Sequence, residues 1–309
     1  MRGLESLETI YLENTDSTQL RAKELLTRSP LSRGVPAKQA GCLTVPFCIV
    51  ADTQTGGYGQ ARRPYYCPQG GLYMSLVLPE RDLKYKFPTG FVAVCVARVV
   101  GRALQKIPFV GRGGTRAASD GVGSLSIKWV NDILLGGKKV GGVLIEKSGS
   151  HFIIGIALNL FQTEPVPEDL RERMEFLFSH TPSGCASHPF VSKGKCSKDV
   201  CTEKFFQCAN KDKSFPSEIE GCPRNEGGVC DFGVSGTRNR IAADIIREIS
   251  LSKMTDEQVL AEYKKLCDFG GSKIGSSKIG GQSIDGLNID GSLNIIGADG
   301  KLTKKFSNL

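Results

Sequence analysis

The chain has 309 residues, enough for a full core, and its hydrophobic share of 40% is that of an ordinary soluble protein. The longest apolar stretch, Phe91 to Val100, is broken by Arg98 and is too short to span a membrane, and Met1 to Glu8 lacks the apolar core and cleavage site of a signal peptide. A formal charge of +8 leaves nucleic acid, an acidic protein and anionic small substrates all open as partners, and the eleven cysteines are expected as reduced thiols.

In chain order, Asn14 to Leu26 places small oxygen-bearing residues before helix formers, which predicts a helix capped by Asp16, Ser17 or Thr18. Phe47 to Asp52 reads as a strand that runs straight into Thr53–Pro64, a basic, glycine-rich loop. Gly71 to Leu78 reads as the next strand and Phe91 to Lys106 as a buried-face helix, followed by a polar loop over residues 107–124. Leu125–Leu135 and Lys138–Glu146 flank Gly136-Gly137, the pattern of a hairpin, and Phe152–Leu160 continues the meander.

Residues 161–235 break this pattern with proline, glycine, lysine and six cysteines, and are expected as an insertion, with Glu168–Phe178 as a candidate helix within it. Helical patterns return at Arg240–Ile249 and Asp256–Leu266, the second opening from Thr255 as a cap. Asp285-Gly286, Asp290-Gly291 and Asp299-Gly300 then predict three hairpin turns in a small β-module. Ser-Lys-Ile-Gly occurs at 272–275 and 277–280, too short a duplication to define a repeat. The expected class is α+β, a mixed and largely antiparallel sheet with helices over residues 1–268, then a small β-domain over 269–309.

Four features bear on chemistry. Ser17-Thr18 is either a helix cap or a pair of hydroxyls facing a polar ligand. The loop Gly56–Arg63 has glycines that let backbone N–H groups approach an anion and arginines that add fixed donors, yet it is neither a P-loop nor a dinucleotide fingerprint. Lys128 alternates with Ile127 and Trp129, which leaves it on the opposite strand face, solvated or facing a site. Gly141-Gly142 inside the returning strand, opposite Asn131-Asp132, marks a close approach by a ligand or another backbone.

Taken together, Ser17-Thr18 before a helix, Gln54 leading the glycine and arginine loop, Gly71-Leu-Tyr-Met-Ser, Lys128-Trp-Val-Asn-Asp, Lys139-Val-Gly-Gly-Val-Leu-Ile-Glu and Gly155-Ile-Ala-Leu-Asn resemble the biotin protein ligase family. The resemblance implies the class II aminoacyl-tRNA synthetase-like biotin/lipoate ligase fold with a C-terminal SH3-like β-barrel. It also implies an ATP-dependent reaction in which biotin becomes biotinyl-5'-AMP and is then captured by a lysine of a biotin carboxyl carrier domain. Carried across by position, Ser17, Thr18, Gln19, Gln54, Gly57, Tyr58, Gly59, Gln60, Lys128, Gly141 and Gly142 would meet biotin. Arg62, Arg63, Trp129, Asn131 and Asn159 would meet the nucleotide, with Lys128 and Arg63 as the catalytic pair.

Departures from the family pattern carry expectations of their own. Tyr58 and Gln60 stand where the family loop Gly-Arg-Gly-Arg has arginines, which predicts a looser hold on the adenylate, and Ala157 replaces a glycine. Gly111–Arg116 imitates the loop but follows a helix, so it is expected as surface insertion. ATP and biotin are expected as substrates with magnesium on the phosphates, its protein ligands unassigned. No zinc is expected, because the cysteine-bearing segment, with His180 and His188 nearby, has no Cys-x-x-Cys pair.

The carrier domain of acetyl-CoA carboxylase or pyruvate carboxylase is the expected partner, with no nucleic acid and no membrane, in the cytoplasm, and with a homodimer compatible. A lipoate or octanoate ligase of the same fold and a non-catalytic biotin-binding regulator are the alternatives. The second is disfavoured because the ligase motifs begin by residue 17.

Overall fold

The computed structural model describes residues 7–28, 46–106, 125–178, 233–268, 278–279, 282–297 and 300–306. The expected loop over 107–124, the first copy of the duplicated tetrapeptide and the cysteines from Cys185 to Cys230 lie outside the described residues. Among the described residues no helix is long and apolar enough to cross a membrane.

The chain opens with strand β1 (Glu8–Thr15), helix α1 (Thr18–Arg28) and strand β2 (Phe47–Gln54). β1 lies parallel to β2, with Glu8 opposite Phe47 and Thr15 opposite Gln54. β3 (Leu72–Pro79) then pairs antiparallel to β2, and helix α2 (Pro88–Lys106) crosses behind the sheet. Pro88 suits the first turn of α2 because its missing N–H would have had no partner there.

Leu125–Leu135, expected as one strand, is two. β4 (Leu125–Lys128) and β5 (Asp132–Leu135) pair antiparallel around a turn at Trp129–Asn131, with Lys128 opposite Asp132. The apolar periodicity continues through this turn because Val130 is itself buried, so the pattern alone hides the reversal. The hairpin at Gly136-Gly137 forms as expected, both glycines taking positive φ of 60° and 80° between β5 and β6 (Lys138–Ser148). β7 (His151–Leu158) follows and inserts between β6 and β3.

Residues 161–178 are not loose insertion, and Glu168–Phe178 is not a helix. After one 3-10 turn at Glu168–Leu170 the chain runs back along the sheet, where Phe161 bridges Phe178 and Lys139 bridges Met174. Burial of Phe176, Leu177 and Phe178 favours the extended path.

Helix α3 (Gly233–Leu251) starts earlier than the pattern from Arg240 predicts. Helix α4 (Asp256–Leu266) opens with a full capping box, Thr255 Oγ1 accepting from the Gln258 N–H and Gln258 reaching back to the Thr255 N–H. β8 (Cys267–Asp268) then joins β4 in parallel. The main sheet has eight strands in the order β1-β2-β3-β7-β6-β5-β4-β8.

The C-terminal residues form a four-stranded antiparallel sheet of β9 (Lys278–Ile279), β10 (Gln282–Leu287), β11 (Leu293–Ile296) and β12 (Leu302–Lys305). Two of the three Asp-Gly pairs mark its turns, through Gly291 at φ 80° and Gly300 at φ 77°, while Asp299 itself lies outside the described residues. Asp285-Gly286 is no turn. It lies inside β10, where the register with β11 shifts between Ile284 and Gly286, because one irregular residue bends a strand without reversing it.

Strand alternation divides the main sheet into two faces. Cys48, Val50, Leu72, Met74, Leu76, Ile127, Ile133, Ile154 and Ile156 face α2, α3 and α4, in one core that also takes in Ile284, Leu287, Leu293 and Ile295 of the small sheet. Phe47, Ile49, Val77 and Ile153 face the other way, against Ala22, Leu25 and Leu26 of α1. Because α1 covers only part of that face, the remainder is left open at the helix N-terminus.

Candidate functional site

That open remainder is a cavity floored by Tyr73, Gly142, Leu144, Gly155 and Ala157, with the start of α1 and the glycine-rich loop as its walls. The register explains the floor. Gly142 lies opposite Ala157, which lies opposite Tyr73, and Leu144 lies opposite Gly155, which lies opposite Ser75. A Cβ on Gly155 would stand 3.0 Å from Gln19 Cδ, so glycine there lets the α1 side chain reach the sheet.

Ser17, Thr18 and Gln19 line the cavity and are 2%, 3% and 4% exposed. For Thr18 and Gln19 such burial requires side-chain partners, and they are present. The Ser75 hydroxyl lies 2.8 Å from both the Thr18 hydroxyl and Gln19 Oε1, while Gln19 Nε2 donates to Glu146 Oε2 at 2.9 Å.

The expected local cap of α1 is replaced by a distant one. Gln54 Oε1 accepts from the Thr18 N–H at 2.7 Å, and Asp16 Oδ1 only takes the adjacent Ser17 N–H. A partner 36 residues away becomes available because β2 lies beside β1, which no local pattern reports. The Gln54 amide nitrogen donates to Cys67 Sγ at 3.1 Å. Burial pushes that thiol up to about 11, against the lowering effect of Gln54, so it is protonated at neutral pH.

The glycine-rich loop is tied down at both ends. The Thr55 and Gly56 N–H groups donate to the Thr15 and Asp16 carbonyls, Tyr65 N–H to Gly57, and Gly59 N–H to Arg63. Gly57 is required by contact, because a Cβ there would lie 2.4 Å from Cys67 Sγ and 3.1 Å from the Tyr65 carbonyl. Tyr58 and Gly59 line the cavity, whereas Gln60, Arg62 and Arg63 do not. Ala61 and Arg62 adopt φ of 54° and 57°, a left-handed pair that turns the chain, and the Arg62 guanidinium lies 4.3 Å over the Tyr58 ring.

Several expected contacts take other forms. Asn159 is 2% exposed and is a strut, its amide donating to the Lys139 and Glu175 carbonyls and its oxygen accepting from Tyr65. Gly141 faces β7, where a Cβ would meet the Ala157 carbonyl at 2.4 Å, so packing accounts for it; Gly142 does line the cavity. Asn131 lines it too, anchored by a 2.7 Å bond to the Val143 carbonyl. Trp129 turns its indole N–H to the Gly291 carbonyl at 3.1 Å, toward the small sheet.

Lys128 is exposed and lies beyond the cavity lining, but on the same face of the sheet. It pairs with Asp132, which pairs with Gly142, and directly paired residues project to one side. Two strand spacings, about 10 Å, separate its backbone from Gly142. A lysine side chain covers much of that distance.

Sequence patterns gave no site role to three participants, Lys139, Glu146 and Lys23. Lys139 lines the cavity, ion-paired to Asp132 at 2.6 Å and 5.2 Å from the Tyr65 ring. Glu146, Lys23, Tyr58 and Gln19 form a cluster in which Lys23 Nζ reaches Glu146 Oε1 at 2.7 Å and the Tyr58 hydroxyl reaches Oε2 at 2.9 Å. Burial opposes the Glu146 charge, but hydrogen bonds from Lys23 and Tyr58, the Lys23 charge and the Gln19 amide outweigh it and hold the carboxyl below its usual range. Burial and that carboxylate raise the Tyr58 phenol, which is therefore a donor.

Residues 41–160 match the Biotin/lipoate A/B protein ligase family. The bifunctional ligase/repressor BirA of Bacillus spizizenii is 32% identical over 171 residues, covering 53% of this chain and 44% of its own length. A biotin--[acetyl-CoA-carboxylase] ligase of Paracoccus denitrificans is 32% identical over 142 residues, 44% of this chain and 53% of that one. The chain thus spans about half the length of the curated relatives it matches.

Over nearly the whole fold it resembles the biotin protein ligase of Aquifex aeolicus, solved in complex with biotin and ATP (TM-score 0.55, 20% identity, 97% of this chain and 96% of that one). The enzyme of Leishmania major, solved in complex with biotinyl-5-AMP, is similar too (TM-score 0.52, 22% identity, 97% and 99%). A cavity at the start of α1, bordered by a glycine-rich loop that falls within the matched segment, agrees with these likenesses, and the match to the Biotin/lipoate A/B protein ligase family covers residues 41–160 of the 309.

Proposed function

We propose that this chain is a biotin protein ligase, which forms biotinyl-5'-AMP from biotin and ATP and passes the biotinyl group to a lysine of a carboxyl carrier domain. The observation that supports this reading best is the position of Lys128 on the sheet face that floors the cavity, in register with Asp132 and Gly142. Relatives and fold neighbours whose names and ligands are biotin, ATP and biotinyl-5-AMP support it as well.

In this reading biotin's ring system sits against Ser17, Thr18 and Gln54, and its carboxylate points toward Lys128. A carboxylate oxygen attacks the α-phosphorus of ATP, the bond to the β,γ-phosphates breaks, and pyrophosphate leaves. Both reactants are anions, so one lysine at about 4 Å in an effective dielectric near 20 contributes up to roughly 4 kcal/mol of Coulomb energy, close to a thousandfold in rate if realised only in the transition state. A carrier lysine amine then attacks the acyl carbon, loses a proton, and AMP departs. Arg62, Arg63 and Asn131 are proposed to flank the nucleotide, and the ordered loop to keep water from the acyl-adenylate.

Magnesium would enter with the nucleotide as part of the substrate. Among the described residues no three metal-binding side chains converge, and Asp132 is held by Lys139, so no step is assigned to a protein-bound ion. Acetyl-CoA carboxylase or pyruvate carboxylase carriers fit the reading, as does a cytoplasmic location where ATP is abundant.

The test is incubation with magnesium, ATP, a biotin carboxyl carrier domain and either biotin, lipoate or octanoate, with pyrophosphate release and carrier labelling as readouts. Biotin-dependent release is expected, with Lys128→Ala slowing it by about a hundredfold or more. Release that depends on lipoate or octanoate instead, or no release at all from the unaltered protein, would overturn the reading.

A further inference from the structure

Three separate elements of the chain meet at one carboxylate beside the cavity. Glu146 of β6 accepts from Lys23 and Gln19 of α1 and from Tyr58 of the glycine-rich loop, at 2.7, 2.9 and 2.9 Å. Tyr58 and Gln19 both line the cavity, so the groups that Glu146 holds are groups a ligand would meet. The Gln19 amide is oriented by the same contacts, its nitrogen toward Glu146 and its oxygen toward Ser75.

The phenol at position 58 suits this arrangement physically. A tyrosine has two side-chain torsions to order, its hydroxyl needs an acceptor when half-buried, and its ring gives Arg62 a surface 4.3 Å below the guanidinium. Hydrogen bonds to an ionised partner are the stronger kind, and here three donors converge on one half-buried carboxylate.

We propose that Glu146 is a positioning residue that latches the glycine-rich loop through Tyr58 and sets the Gln19 amide, so that the site is formed before its ligand arrives. The latch offsets the arginines replaced at Tyr58 and Gln60: the entropy of ordering the loop is lost in advance, and retention of a bound acyl-adenylate improves. The identity of that ligand rests on the ligase reading above; the latch itself does not.

Hydrogen exchange on the ligand-free protein tests the latch directly, with the Gly59 and Tyr65 amides as reporters because both are bonded within the loop. Tyr58→Phe, which removes a single oxygen and keeps the ring, and Glu146→Gln should each speed exchange there by about tenfold. Exchange in α2 should be unchanged. Biotin titration and the release rate of preformed biotinyl-5'-AMP form the second arm, in which both variants should raise the KM for biotin more than they lower kcat.

Unchanged exchange in Tyr58→Phe, or an unprotected loop in the parent protein, overturns the latch whatever the ligand. Faster exchange in both variants, in a parent that binds no biotin, upholds the latch and removes the ligase reading alone.

Discussion

Gly141 and Gly142 are neighbours in β6 that face opposite ways, and their substitution should separate packing from binding. A methyl on Gly141 would enter the Ala157 backbone at 2.4 Å, which neither strand can relieve without shifting. Gly141→Ala is therefore expected to lower stability by roughly 1–3 kcal/mol. Gly142 meets nothing closer than 3.5 Å, so Gly142→Ala should fold normally while placing its methyl in the cavity and weakening biotin binding. Paired thermal melts and biotin titrations check both; equal melting points would refute the assignment. The sequence marks the glycine pair as a site of close approach, but which glycine meets backbone and which faces the cavity depends on the register with β7. The same limit applies to Asn159, which the motif order puts near the nucleotide and whose three hydrogen bonds are instead internal.

The helices show how far local chemistry reaches. At α4 everything needed is in the sequence: Thr255 and Gln258, three apart, form a reciprocal cap, and Lys264 and Lys265 complement the last turn. Thr255→Ala should cost about 1 kcal/mol, read as a lower midpoint in urea with an unchanged slope. An unaltered midpoint would mean that packing of Val259 and Tyr263 alone fixes the helix start. At α1 the capping group is Gln54, and its supply depends on the β1–β2 pairing. β1 itself was not legible, since as an edge strand it is half-exposed and Glu8–Thr15 lacks a continuous apolar face. The strands β2, β3, β6 and β7 were legible because burial demands apolar runs bounded by turn residues. The β4–β5 reversal was not, for its turn is as apolar as the strands it joins.

At the scale of the whole molecule, the small sheet reaches the site through the turn that follows Lys128. The Trp129 indole donates to Gly291, the Val130 carbonyl accepts from Tyr263 at 3.0 Å, and the Tyr263 ring meets Phe87 edge-on with centroids 5.0 Å apart. Gly291 closes this arrangement, since its φ of 80° suits glycine and a Cβ there would lie 2.3 Å from the Phe87 ring. Gly291→Ala combines left-handed strain with a collision against the ring and should cost roughly 1–3 kcal/mol. It should also displace the turn that ends β4, and with it Lys128. Trp129 is the chain's single tryptophan, so its emission reports the displacement directly. The expected result is a red-shifted spectrum together with slower biotin-dependent pyrophosphate release, although Gly291 lines no part of the cavity. Lower stability with an unshifted spectrum and a normal rate would show that the small sheet supports the fold without setting the site, and that Lys128 is positioned by β4 and β5 alone.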